Sequence, residues 1–140
     1  MGCIPTKTLV ASAKAIHTAR RGAEFGFRTG PVEVDWPRIR ARKDAVVGSV
    51  VSGIRRGLEQ NPRIDLIEGR ARFTGPNTLD VDGRVIEADK VIVATGVAPR
   101  IPDIPGLKEA GFLTNETVMD VDELPRSLLI IGGGPEGMEF

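Results

Sequence analysis

The chain is poor in residues that staple, coordinate or stack. Its 140 residues include one cysteine, one histidine, one tryptophan and no tyrosine, and aromatics make up only 4%. One cysteine excludes an internal disulfide and a cysteine-rich zinc site, so neither a secreted disulfide scaffold nor a metal module is expected. No apolar run approaches the roughly 18 residues that cross a bilayer, and no membrane partner is expected. The opening Met1-Gly2-Cys3-Ile4-Pro5-Thr6-Lys7 lacks the basic head, apolar stretch and small-residue cleavage site of a secretory leader. An excess of one charge is missing too. The 19 basic and 19 acidic side chains cancel, which removes any global attraction for nucleic acid or anionic lipid. Glycine (17) and proline (10) are plentiful instead. That balance suits a cytoplasmic α/β protein in which small residues bring backbone close to backbone or ligand.

The order of elements follows from periodicity and punctuation. Pro5 is tolerated in the first turn of a helix carrying Leu9, Ala13 and Ile16 on one face, because that turn needs no internal N–H partner. Arg20-Arg21-Gly22 reads as its end, with Gly22 as the left-handed cap. A second helix is expected from about Pro37 to Glu59, with Val47, Val50, Val51, Ile54 and Leu58 as its apolar stripe. Gly48, Gly53 and Gly57 weaken it by about 1 kcal/mol each relative to alanine. From Ile64 the period shortens. Asp65–Phe73, Thr78–Asp82 and Arg84–Ile86 read as strands joined by Gly75-Pro76-Asn77 and Asp82-Gly83. Lys90–Ala94 reads as a continuous apolar strand and Leu128–Ile131 as a buried parallel strand, both expected to lose sheet neighbours in a chain of this extent, and the proline-rich Pro99–Gly106 stretch reads as a linker.

Three places can carry chemistry. Gly132-x-Gly134-x-x-Gly137 after an apolar run has dinucleotide-fingerprint spacing: a tight turn, a close backbone approach to pyrophosphate, and close helix–strand packing. A bare glycine-rich turn is the competing reading, and Glu136 is a charge that would repel pyrophosphate. Cys3 precedes a helix whose end favours thiolate, with Lys7 one turn on; the alternative is a small buried hydrophobe. Thr95-Gly96 at the end of an apolar run suits close approach to a ligand, or is a plain turn. His17 reads as a surface or packing residue and Trp36 as a packing anchor. Arg38, Arg40, Arg42, Lys43, Arg55 and Arg56 lack interleaved aromatics and read as a solvated helix face.

Taken together, Gly2-Cys3-Ile4-Pro5-Thr6-Lys7, Val93-Ala94-Thr95-Gly96-x-x-Pro99 with Ile104-Pro105-Gly106, and Ile131–Phe140 resemble class I pyridine nucleotide–disulfide oxidoreductases. This group includes mercuric reductase, dihydrolipoamide dehydrogenase and glutathione reductase. The resemblance implies an α/β fold: a partial FAD-binding Rossmann-like domain with a helical pair and a β-meander (1–106). The linker, first strand and turn of an NAD(P)-binding Rossmann domain would follow (107–140). It implies FAD and NAD(P)H as cofactors and a small-molecule or disulfide substrate, in a homodimeric parent enzyme. Cys3 would be the flavin-side thiol, Lys7 the lysine near the flavin, and Glu139 its partner where nicotinamide stacks. Thr95 and Gly96 would contact FAD, and Gly132, Gly134 and Gly137 would take NAD(P).

The same resemblance sets expectations for what surrounds these residues. The partner cysteine is expected five residues before Cys3, upstream of Met1, with the FAD fingerprint further upstream. The rest of the NAD(P) domain, a His–Glu base pair and the dimer domain are expected after Phe140. Met1 stands where the family commonly has valine, as a GTG codon read as a start would give, so a fragment of a longer reductase is expected. Pro135 replaces an aromatic found in some members, and Glu136 a small or apolar residue. Mercuric reduction is the first substrate expectation and dihydrolipoamide the second. A reading from another class is a short non-catalytic nucleotide-binding or assembly module. By itself the 140-residue chain is expected to show no turnover, because the cooperating groups act as a unit.

Overall fold

The computed structural model describes residues 2–140. Helix α1 spans Cys3–Arg20. Thr6 and Thr8 are buried in it, and their hydroxyls donate to the carbonyls of Gly2 (2.7 Å) and Ile4 (2.8 Å) one turn back. Those bonds satisfy groups that burial separates from water. His17 and Arg20 occupy the last turn, where cations complement the helix dipole. The left-handed residue that follows is Gly26, at φ 83, closing a tight turn over Gly22–Phe25. Gly22 is not that cap; it is small because Phe27 packs against it, and a Cβ there would lie 2.7 Å from the ring.

Helix α2 spans Trp36–Glu59. Asp35 starts it by accepting a hydrogen bond from the Arg38 N–H at 3.1 Å, satisfying one of the donors a helix start leaves free. The apolar stripe is present but not fully covered: Val51 and Ile54 are each more than half exposed. Strands β1 (Ala71–Gly75), β2 (Thr78–Val81) and β3 (Arg84–Glu87) form an antiparallel meander in the order β1-β2-β3. Asp82 and Gly83 close the β2–β3 hairpin with φ 49 and φ 90, the double left-handed geometry for which Asp-Gly is suited. The first strand begins six residues later than its expected start at Asp65, at Ala71. Two short helices complete the chain, α3 (Leu107–Ala110) and α4 (Pro135–Glu139). No helix among the described residues is long and apolar enough to cross a membrane.

Helices with a three-stranded sheet place the chain in the α/β class. The two further strands expected from sequence are a correction. Neither Lys90–Ala94 nor Leu128–Ile131 is in a ladder, and Ile92 is 92% and Leu129 89% exposed. A parallel strand takes its hydrogen bonds from neighbours distant in sequence, and among the described residues no strand lies beside either run. Apolar composition marks a segment that can join a sheet; it does not supply the partner.

Packing divides the chain into two compact units, the segment up to Val51 together with Pro99–Phe140, and Ser52–Ala98. In the first, one face of α2 grips residues 119–122 through polar atoms. The Trp36 indole N–H donates to the Val121 carbonyl (3.0 Å), and Arg40 reaches that carbonyl (3.0 Å) and Asp122 (2.8 Å). Lys43, only 4% exposed, donates to the Met119 carbonyl at 3.0 Å and pairs with Asp120 and Asp44. Burial pulls the Lys43 ammonium toward deprotonation, but hydrogen bonds to Asp120 and Asp44 win, and its pKa sits above the ordinary lysine value. Met119 is the buried apolar side chain of this unit and Val81 that of the second, among the described residues. Arg42 donates to the Thr8 carbonyl at 3.1 Å, joining α2 to α1. The basic stretch expected to be a solvated face therefore supplies three of the unit's fasteners.

Candidate functional site

Cys3 is the first residue of α1 and is exposed. That exposure removes the buried-hydrophobe reading of the thiol. It sits where α1 leaves its first N–H groups unpaired, so it feels the positive end of the helix. Lys7 lies one turn further on, on the same side of the helix. Its ammonium pairs with the Glu139 carboxylate of α4. The two residues are separated by 132 positions in sequence, so the pair brings the opposite ends of the chain together within one unit. The Lys7 side chain is 64% exposed and that of Glu139 33%, so solvent screens the attraction and it contributes little to stability. The pair's value is in placement.

The glycine-rich turn has the geometry its spacing requires. Gly132 adopts φ 131, a conformation open to glycine and strained for other residues. Gly137, inside α4, packs so close to the Gly132 carbonyl that a Cβ at 137 would collide with it. A Cβ at Gly134 would meet nothing within 4 Å, which leaves its backbone accessible. These features fit a dinucleotide phosphate held by backbone, with glycine used where a side chain would block either the turn or the ligand. In the second unit, Thr95 and Gly96 are exposed outside any helix or strand, and Gly96 has φ 76 with open space at its Cβ position. An accessible backbone there is compatible with a flavin contact.

Sequence reasoning left Glu136 as an isolated liability in the turn. The structure puts its Oε1 3.1 Å from where a Cβ of Gly2 would be, at the start of α1 rather than free in the turn. Nothing local in the sequence signals that seat, which depends on where α4 meets α1. His17 is exposed, with its Nε2 3.1 Å from Arg21 Nη1; it joins no other group of the site.

Known proteins are similar to this chain along its whole length. The dihydrolipoyl dehydrogenase of Acholeplasma laidlawii is 38% identical over 99% of the chain. The mercuric reductase of Lysinibacillus sphaericus is 33% identical over all of it. The chain spans 43% and 26% of the lengths of these two relatives. Among solved structures, the HOCl-induced flavoprotein disulfide reductase RclA from Escherichia coli superposes with a TM-score of 0.74 at 33% identity. That match covers 99% of this chain and 28% of RclA. The family profile described as pyridine nucleotide-disulphide oxidoreductase matches residues 1–140. The chain belongs to the pyridine nucleotide-disulphide oxidoreductase family.

Proposed function

We propose that the chain is a portion of an FAD-dependent NAD(P)H:disulfide oxidoreductase. In this reading residues 1–106 are a partial FAD-binding domain and 107–140 the linker and start of the NAD(P)-binding domain. The observation that carries it is the Lys7–Glu139 ion pair, which joins the helix bearing the exposed Cys3 thiol to the helix that follows the glycine-rich turn. Members of the family use FAD and NAD(P)H. FAD, when bound, supplies a two-electron centre between nicotinamide and disulfide.

The chain's own residues divide the work as follows. Cys3 offers an exposed thiol at a helix start and is read as one half of a redox-active cysteine pair whose other half lies upstream. Glu139 holds the Lys7 ammonium in one place, so a fixed positive charge stands one turn from that thiol. Gly132, Gly134 and Gly137 give the NAD(P) phosphates a backbone-lined turn, and Thr95 and Gly96 offer backbone to FAD. The net reaction balances as NAD(P)H, a proton and a disulfide giving NAD(P)+ and two thiols. The substrate is a small molecule or disulfide: mercuric ion is the first reading, with NAD(P)H and Hg2+ giving NAD(P)+, Hg0 and a proton, and dihydrolipoamide the second, for which the disulfide reaction runs in reverse. The protein works as a cytoplasmic homodimer, without nucleic acid or membrane.

The test is to express the complete reading frame and follow NADH and NADPH oxidation with lipoamide and with Hg2+ as acceptors. Cys3→Ser is expected to reduce turnover by about a thousandfold or more, because the cooperating groups of such a site fail together. Turnover unchanged in Cys3→Ser contradicts the assignment.

A further inference from the structure

The Lys7–Glu139 pair is half open to solvent and too weak to hold itself in place. A stronger anchor stands behind it. Lys43 of α2 is buried, donates to the Met119 carbonyl at 3.0 Å and pairs with Asp120 and Asp44. Burial opposes its charge, yet the bonds to Asp120 and Asp44 keep it protonated. Met119 is buried as well, and its sulfur lies 3.9 Å from the Thr6 hydroxyl, which is bonded to the Gly2 carbonyl at 2.7 Å. Thr6 belongs to the first turn of α1, between Cys3 and Lys7. From Met119 the chain runs on to α4 and Glu139, and all of these residues lie in one compact unit. Trp36 and Arg40 grip Val121 and Asp122. Of the three α2 side chains in this clamp, Lys43 is the one bonded to the residue that also meets α1.

We propose that Lys43 is a positioning residue for the candidate site: by holding Met119 against Thr6, it fixes the first turn of α1 and the chain leading to α4 so that Lys7 meets Glu139. Lys43 acts through Met119. Its bonds come from a buried charged donor, the kind whose removal costs most, whereas the exposed pair it serves contributes placement rather than stability. Arg42 also ties α2 to α1, through the Thr8 carbonyl. That bond holds α1 one turn further along and leaves residue 119 untouched, so it does not join the two sides of the pair. The inference rests on the reading of Lys7 and Glu139 as site residues and adds to it the anchor that keeps them in register.

A water-soluble carbodiimide joins a carboxylate to an amine in contact with it, forming an amide as the reagent leaves as its urea. Applied to the dilute 140-residue chain and followed by peptide mass, it reads the Lys7–Glu139 contact. Lys43→Met is expected to lower the yield of that link about threefold or more, since bonds from a charged donor are lost. Arg42→Gln is expected to stay within about twofold of wild type, as one bond to an exposed donor is lost. Equal losses in the two variants would mean general loosening and overturn the inference. Should Lys43→Met lose helicity by circular dichroism, Met119→Leu, which conserves volume and removes the sulfur, is read in its place and must lower the yield too. In the complete protein, Lys43→Met is expected to add little to the turnover lost in Glu139→Gln, because the pair it positions is already gone; losses that multiply independently overturn the inference. An unchanged link yield in Lys43→Met also overturns it and leaves the redox reading intact. Full turnover by Glu139→Gln breaks that reading instead, and leaves the cross-link result standing.

Discussion

In the unit that contains α1 and α4, the fastenings are side chains reaching across long stretches of sequence. Arg42 meets the Thr8 carbonyl 34 positions away, Lys43 meets the Met119 carbonyl 76 away, and Lys7 meets Glu139 132 away. In the meander from Ala71 to Glu87, the fastenings are backbone ladders between neighbours, closed by short turns. The first kind depends on one ammonium or guanidinium satisfying several acceptors at once. The second repeats the same bond along each strand pair. One unit is therefore vulnerable at single side chains, and the other at single backbone conformations.

Lys43→Met tests the first vulnerability and should have the largest effect. It leaves the Met119 carbonyl and Asp120 without their donor, a loss of about 1.5–3 kcal/mol for hydrogen bonds involving a charged group. Trp36, the only tryptophan, bonds to Val121 in the same clamp, so its fluorescence in a urea titration reads the loss. Titrating Lys43 should give part of the same effect. Its native pKa is raised by Asp120 and Asp44 against the opposing effect of burial. The stabilisation is therefore complete below the ordinary lysine pKa of about 10.4 and falls away as pH rises through the native value. Trp36 fluorescence followed upward from about pH 9 should show it, and Lys43→Met should abolish that pH dependence.

Gly83→Val tests the second vulnerability. At φ 90 a branched side chain is strained, at a cost of about 1–2 kcal/mol. Amide exchange in β2 and β3 should accelerate while the Trp36 transition stays in place; a shift of both would erase the distinction between the two units. The smallest effect is a gain. Gly48 lies inside α2 with open space around its Cβ position, so Gly48→Ala should add about 1 kcal/mol and raise the Trp36 urea midpoint.

Much of this was legible in the sequence because it is local. Pro5 near a helix start, Asp82-Gly83 in a hairpin and the limits of α2 follow from turn and cap chemistry within a few residues. The glycine spacing at residues 132–137 likewise anticipated the tight turn and close packing of that segment. What escaped was non-local. Arg40, Arg42 and Lys43 carry the composition of a solvated face, and only the return of residues 119–122 turns two of them inward as fasteners. The Lys90–Ala94 and Leu128–Ile131 runs carry the composition of parallel strands, yet a strand exists only with its neighbour. Lys7 and Glu139 were matched through family resemblance, whereas the seat of Glu136 at Gly2 was visible only once α4 was placed against α1.

We propose that Cys3, Lys7 and Glu139 belong to the redox site of a longer reductase. The most direct measurement is the genomic sequence on both sides of the region encoding these residues. The account predicts one continuous frame with a cysteine five codons before Cys3, a Gly-x-Gly-x-x-Gly segment further upstream, and the remainder of the nucleotide-binding domain after Phe140. Stop codons immediately flanking both ends would contradict it.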